Sequence, residues 1–256
     1  MQQKKEILDQ LIELSHWLGE ERREIAILGE GNTSAKISPD TFFVKASGAQ
    51  LGTISQAGIV EVSAPAVLKM LSGPALGDKE IKERLSAAAV NNPSNLMPSI
   101  ETLFHAYLLS LPGVNFVGHT HPVSVNRIMC SKGWKECTQG RLFPDEIVCC
   151  GIAPVHIEYT DPGVTLGRKI KEEVVAYINK YGVRPKSILM QNHGLIAIGA
   201  TVAEVKSTTA MWDKTAKVLA GTFQFGGPNY LSEEQVDRIC SRPDEEARKK
   251  MIEGLK

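Results

Sequence analysis

The sequence predicts an α/β fold in which helices flank one sheet containing antiparallel hairpins. Two observations carry most of this. Amphipathic stretches with apolar residues three and four apart recur along the chain, as over residues 4–23, where Ile7, Leu8, Leu11, Ile12, Leu14 and Leu18 form one stripe. Between them lie short alternating or apolar runs bounded by turn residues, such as Ser34–Ile37 and Thr41–Lys45 around Ser38-Pro39-Asp40. A third observation, the lack of an internal repeat, a low-complexity segment or an interdomain linker, assigns residues 1–256 to a single domain.

Each element follows from its local pattern. After the helix over 4–23, Gly29-Glu30-Gly31-Asn32 breaks the periodicity and the hairpin follows. Ala46-Ser47-Gly48 opens a loop, and Gly58–Ser63 reads as a further strand. Residues 72–98 mix Gly, Pro, Asn and charge around a short helical segment at Lys79–Val90, which suits a surface excursion. Ile100–Leu111 reads as a helix with Ser99 as its N-cap. Val114–Gly118 reads as a strand leading to His119, and Val123–Met129 as the start of a helix. Residues 145–149 and 153–159 are strand-like, Thr165–Lys180 helical, Lys186–Met190 and Leu195–Ile198 strands, and 202–220 and 232–254 helices.

Composition narrows the function classes. A hydrophobic share of 43% with 23% charged residues suits a soluble protein with a substantial core. Lys+Arg and Asp+Glu are both 29, with no basic stripe, which argues against a nucleic-acid binder. The N-terminal segment is amphipathic where a signal peptide would be continuously apolar, and no apolar run approaches the ~20 residues that span a bilayer. The five cysteines are odd in number and lack metal-type spacing, so they read as reduced thiols of a cytoplasmic protein.

The chemistry concentrates at His119-Thr120-His121-Pro122. On a strand, residues at i and i+2 share a face, so two imidazoles stand side by side as half of a divalent-metal site. Glu101, at the start of a predicted helix, and His193, followed by Gly194 between two apolar strands, offer the remaining ligands. Three imidazoles and a carboxylate suit zinc, and less specifically manganese, iron or cobalt. Taken singly, each residue also fits an ordinary role: a hydrogen-bonded core histidine, a turn at Asn192-His193-Gly194, or an acidic residue favouring a helix N-terminus. His105, four residues after Glu101, reads as packing or as a residue behind the site, and His16 and His156 have no supporting context. Gly29–Ser34 and Lys45–Gly48 could present backbone N–H groups and small hydroxyls to an anion such as phosphate, although neither matches a dinucleotide fingerprint or a P-loop.

In chain order these loops read Gly-Asn-Thr-Ser, Lys-Ala-Ser-Gly, Pro-Ser-Ile-Glu, His-Thr-His-Pro and Gln-Asn-His-Gly. The series resembles the class II aldolase/adducin family from about residue 7 to 220. The resemblance implies a three-layer αβα sandwich around a largely antiparallel sheet, in a cytosolic homotetramer with sites between subunits. It implies zinc, or another divalent metal, on His119, His121 and His193, with Glu101 as acid/base and additional ligand. Asn32, Ser47, Gly48 and Ser99 would hold the substrate phosphate, and Gly31 would shape that loop.

The implied reaction is that of a fuculose/rhamnulose-phosphate type aldolase. A ketose 1-phosphate is cleaved to dihydroxyacetone phosphate and an aldehyde through a metal-stabilised enediolate. One departure stands out. Such aldolases often carry two serines before the glutamate, whereas this chain has Ser99 and Ile100, so one phosphate contact is lost or the anion is smaller. For the tyrosine some members use, the candidate is Tyr230, while Tyr107 and Tyr159 read as structural. Related alternatives are a sugar-phosphate 4-epimerase, usually with Asp at the position of Glu101, and a sugar-acid decarboxylase or dehydratase. An adducin-like interaction module would lack the metal ligands that stand here.

Overall fold

The computed structural model describes residues 2–74, 76–252 and 254, with the side chains of Glu246 and Lys249 left aside. The expected 1–256 domain and the expected helix over 232–254 therefore include residues outside those described. Along the chain run α1 (Gln2–Leu18), β1 (Asn32–Lys36), β2 (Thr41–Lys45), β3 (Ile59–Ser63), α2 (Ala64–Ser72), α3 (Asp78–Ala88) and β4 (Ala89–Val90). Next come α4 (Thr102–Ser110), β5 (Phe116–Thr120), α5 (Val123–Met129), α6 (Trp134–Thr138), α7 (Pro144–Cys150) and β6 (Val155–Ile157). The chain continues through α8 (Val164–Tyr181), β7 (Ser187–Met190), β8 (Gly194–Gly199), α9 (Val202–Thr222), α10 (Glu233–Ser241) and α11 (Pro243–Ile252).

Among the described residues, eight strands form one sheet in the order β4-β3-β2-β1-β5-β8-β7-β6. Six junctions are antiparallel, and β6 pairs with β7 in parallel. A parallel neighbour needs a long crossover, which α8 supplies between β6 and β7.

Strand alternation divides the core into two layers, because successive side chains point to opposite faces. Phe42, Val44, Val60, Val62, Val117, Ile188, Met190, Ile196 and Ile198 face α2, α3, α4 and α8 in one cluster. The intervening Ala35, Phe43, Phe116 and Ala197 face α1 and the start of α9. Leu189 and Leu195 meet α5, α7 and α9 on that same side through Met129, Cys150 and Trp212. Both faces are covered, which explains why β7 and β8 read as continuous apolar runs. The αβα arrangement predicted from sequence is the one observed.

Several boundaries differ from the sequence expectation. The first helix ends at Leu18, followed by Gly19, and not at residue 23. The 145–149 segment, expected as a strand, is the helix α7: Pro144 sits at its first turn, with Asp145 and Glu146 favouring the N-terminus. α2 follows β3 directly, capped by Ser63, whose side chain accepts from the Ala66 N–H, so the Gly58–Ser63 strand runs into an unpredicted helix. The C-terminal helix is split at Arg242-Pro243, because proline cannot continue the α10 hydrogen-bond ladder. Ser99 does not cap α4. Glu101 occupies that position, and Ser99 Oγ accepts from the Glu101 N–H at 3.3 Å in the turn before it.

The three central strands set the functional loops. Asn32 pairs with His119 and Thr120 with Leu195, so the start of β1, the end of β5 and the start of β8 coincide at one edge of the sheet. Ile196, fully buried opposite His119 in the β5–β8 ladder, anchors this junction in the core. Ile196→Ala is expected to cost about 2–5 kcal/mol, read as a lowered urea midpoint at unchanged slope.

Candidate metal centre

His119, the fourth residue of β5, is fully buried. Its Nδ1 lies 3.0 Å from the Leu195 carbonyl, which can only accept, so Nδ1 carries a proton and Nε2 faces the site. His121 extends from the same face one residue beyond the strand, and its Nε2 is 3.0 Å from that of His119. His193 enters from the turn before β8, and the side chain of Asn126 donates to its backbone carbonyl at 3.2 Å. The three rings meet edge-on with centroids 4.8–5.1 Å apart.

Two glycines allow this convergence. A Cβ on Gly194 would lie 2.4 Å from the Thr120 carbonyl and 2.8 Å from the His121 ring. Gly31 has φ +68°, and a Cβ there would sit 2.5 Å from the His119 carbonyl. Larger residues at either position would push a loop off the histidine strand.

Glu101 closes the cluster. Its Oε1 is 3.1 Å from His193 Nε2 and its Oε2 is 3.5 Å from His119 Nε2. The Asn32 amide nitrogen donates to the same Oε2 and also reaches Ser99 Oγ at 3.5 Å. Burial alone would raise the Glu101 carboxyl pKa, but His119 and His193 outweigh it and hold the group well below the usual carboxylate range. His119 responds in kind: burial disfavours its charge, yet Glu101 and the Leu195 carbonyl raise its pKa above the ordinary imidazole value. His121 moves the other way, to about 3, through burial and the neighbouring His119 and His193 charges. Glu101 and the Leu195 carbonyl thus favour a proton on His119, whereas burial disfavours one on His121.

The donor set fits a divalent ion. The ligand atoms of His119, His121 and His193 all lie within 4.8 Å of one another. A tetrahedral zinc with ~2.05 Å bonds would place its ligand nitrogens ~3.3 Å apart, close to the 3.0 Å between His119 and His121. Imidazoles with a carboxylate alongside match the ligand preference of zinc and its neighbours.

The remaining residues expected at the site fall around this centre. Ala46 bridges to Pro98, and the Ser47 N–H donates to the Met97 carbonyl, so the Ser47-Gly48 loop lies against the segment carrying Ser99. Ile100 turns away. Its side chain packs against the core cluster, with Cδ1 beside Gly163 at the entry to α8. Tyr230 is held elsewhere: its hydroxyl donates to the Cys137 carbonyl at 2.8 Å, its ring packs on Gly140, and burial pushes its pKa to about 12. Tyr107 is buried, as expected of a structural residue, whereas Tyr159 is exposed and its hydroxyl donates to Asp161. His16 meets the Ile54 carbonyl, and His156 meets Thr138 Oγ1.

Two participants escaped the sequence reading. Glu30 Oε1 stands 3.8 Å from His121 Nδ1, on the outer side of the ring, while Glu30 Oε2 accepts from the Ile27 N–H. Ser34 bonds His105 Nδ1 at 2.6 Å. The i, i+2 spacing of Asn32 and Ser34 on β1 placed both on one face and was the available signal for the second.

Comparisons with known proteins bear on the family and the fold. Residues 9–220 match the family model described as Class II Aldolase and Adducin N-terminal domain. The chain belongs to this class II aldolase family. Its fold resembles the N-terminal class II aldolase domain of a conserved protein from Thermoplasma acidophilum, at 25% identity and TM-score 0.63 over 83% of this chain and 93% of that one. It also resembles an L-fuculose 1-phosphate aldolase, at 16% identity and TM-score 0.67 over 91% and 94% of the two chains. The L-fuculose-1-phosphate aldolase from Thermus thermophilus is similar at 15% identity and TM-score 0.60, over 88% of this chain and 99% of that one. A search of curated proteins found no match.

The proton on His119 gives the centre a pH signature. A metal must displace it, and His119 stays protonated up to its raised pKa, so affinity falls as pH drops through that value. Zinc titrated into metal-free protein should release more protons per ion at low pH than at high pH, as read by calorimetry in buffers of different ionisation enthalpy. His119→Ala should lose the ion, measured as metal content after gel filtration.

Proposed function

We propose that this protein is a divalent-metal-dependent aldolase that cleaves a ketose 1-phosphate to dihydroxyacetone phosphate and an aldehyde. One observation carries the reading: three imidazole Nε2 atoms and the Glu101 carboxylate converge where β1, β5 and β8 meet. In this reading His119, His121 and His193 hold the ion, zinc being the species the donor set favours, with Glu101 as a further ligand in the resting protein. The protein would act in the cytoplasm as a homotetramer, as the family resemblance implies. When bound, the ion would supply Lewis-acid stabilisation of the negative charge that develops on the substrate oxygens next to the cleaved bond.

The protein's own groups do the rest. Glu101, kept ionised in the buried cluster, is the group that moves a proton to or from the substrate carbon exposed by C3–C4 cleavage. Ser47, Gly48 and Ser99, gathered by the Ala46–Pro98 bridge, form the anion side of the site, with Gly31 and Asn32 shaping its inner wall. His119 on β5, His121 just beyond its end and His193 just before β8 are held by the strand ends, which keeps the reacting region fixed relative to Glu101.

A second reading rests on Ile100. Its side chain is turned into the core, so the anion loop gains no hydroxyl at that position. A carboxylate needs fewer donors than a phosphate, which favours a sugar acid and a decarboxylase or dehydratase reaction.

Glu101→Gln is expected to lower turnover at least ~10²-fold, and metal analysis should find the ion still bound. Undiminished turnover would remove Glu101 from its role. A product-detecting screen of ketose 1-phosphates against sugar acids separates the two readings. Release of dihydroxyacetone phosphate supports the aldolase, and turnover of sugar acids alone supports the second reading.

A further inference from the structure

A line of buried polar groups runs inward from Glu101. Glu101 Oε2 accepts from the Asn32 amide nitrogen, Asn32 Oδ1 meets His105 Nε2, and His105 Nδ1 meets Ser34 Oγ at 2.6 Å. His105 is fully buried on α4, and Asn32 and Ser34 are buried beside it on β1.

The direction of every bond follows from the first. An ionised carboxylate can only accept, so the Asn32 edge facing Glu101 must be its NH2 group. The carbonyl edge then faces His105, whose Nε2 must carry the proton. Nδ1 is left bare, and the Ser34 hydroxyl must donate to it. Burial agrees with a neutral ring: it pushes the His105 pKa down to about 3. The opposite arrangement would turn an amide oxygen onto the Glu101 carboxylate, two acceptors in contact in a buried site.

We propose that His105 is a positioning residue that fixes the orientation of the Asn32 amide and so keeps its N–H2 edge on Glu101. The relay aims the Asn32 amide nitrogen at the proton-transfer carboxylate. It deepens the aldolase reading and rests on the role of Glu101 given there. Outer hydrogen-bond partners of this kind typically alter activity about 10- to 100-fold when removed.

The first test needs no substrate. In ¹⁵N-histidine-labelled, metal-free protein at pH 7, a long-range ¹H–¹⁵N spectrum should show His105 with a protonated Nε2 and a bare Nδ1. An Nδ1–H tautomer or a charged ring overturns the proposal. The second test uses proton exchange between dihydroxyacetone phosphate and D2O in metal-loaded protein. His105→Leu should slow exchange about 10- to 100-fold with KM and metal stoichiometry unchanged. His105→Gln, whose amide can donate to Asn32 from nearly the same place, should recover most of the rate. Equal rates in His105→Leu and wild type overturn the proposal. If the leucine variant does not fold, the tautomer decides. If the wild type shows no exchange, the aldolase reading fails while the tautomer still judges His105.

Discussion

The site depends on a buried carboxylate held among three imidazoles. Removing an ionised Glu101 from water would cost several kcal/mol if nothing replaced its hydration. His193 and His119 lie 3.1 and 3.5 Å from its oxygens, and the Asn32 amide supplies a hydrogen bond. That compensation requires β1, β5 and β8 to be neighbours in this register, and α4 to begin beside their ends. Most of the fold can be understood as holding those four starting points together. The two core layers clamp the sheet from both faces, and α4 packs in the layer behind Glu101.

Glu101 and the Leu195 carbonyl raise the His119 pKa, whereas burial first, and then the neighbouring His119 and His193, lower that of His121. Positive charge is thus favoured beside the Glu101 carboxylate, among the three imidazoles that could hold a cation. Divalent metal replaces one positive charge with two, which suits a cluster already arranged around a positive centre.

Much of this was legible in the sequence because strand periodicity is strict. His119 and His121 had to share a face once the run before them was a strand, and the order of the glycine, glutamate and histidine loops carried the family. The helix-flanked sheet followed from the alternation of amphipathic and apolar stretches, and the three αβα layers from the family resemblance. What failed was local and short. Glu146-Ile147-Val148-Cys149-Cys150 has strand-like residues, but a buried Arg141–Glu146 ion pair and the packing of Cys149 and Cys150 against Trp212 make it helical. The Ser34–His105–Asn32 chain was only half visible, since spacing placed His105 behind Glu101 but could not say what its nitrogens met. Ile100 illustrates the opposite limit: its lack of a hydroxyl is plain in the sequence, but its packing against the core cluster, with Cδ1 near Gly163, 63 residues later, is not.

The central claim is that His119, His121 and His193 together hold a divalent ion beside Glu101. Diffraction data collected on both sides of the zinc absorption edge, from crystals grown with zinc, test it most directly. The account predicts one anomalous peak ~2.0–2.1 Å from the Nε2 atoms of all three histidines. A peak at other residues, or none within bonding distance of these three, would contradict it.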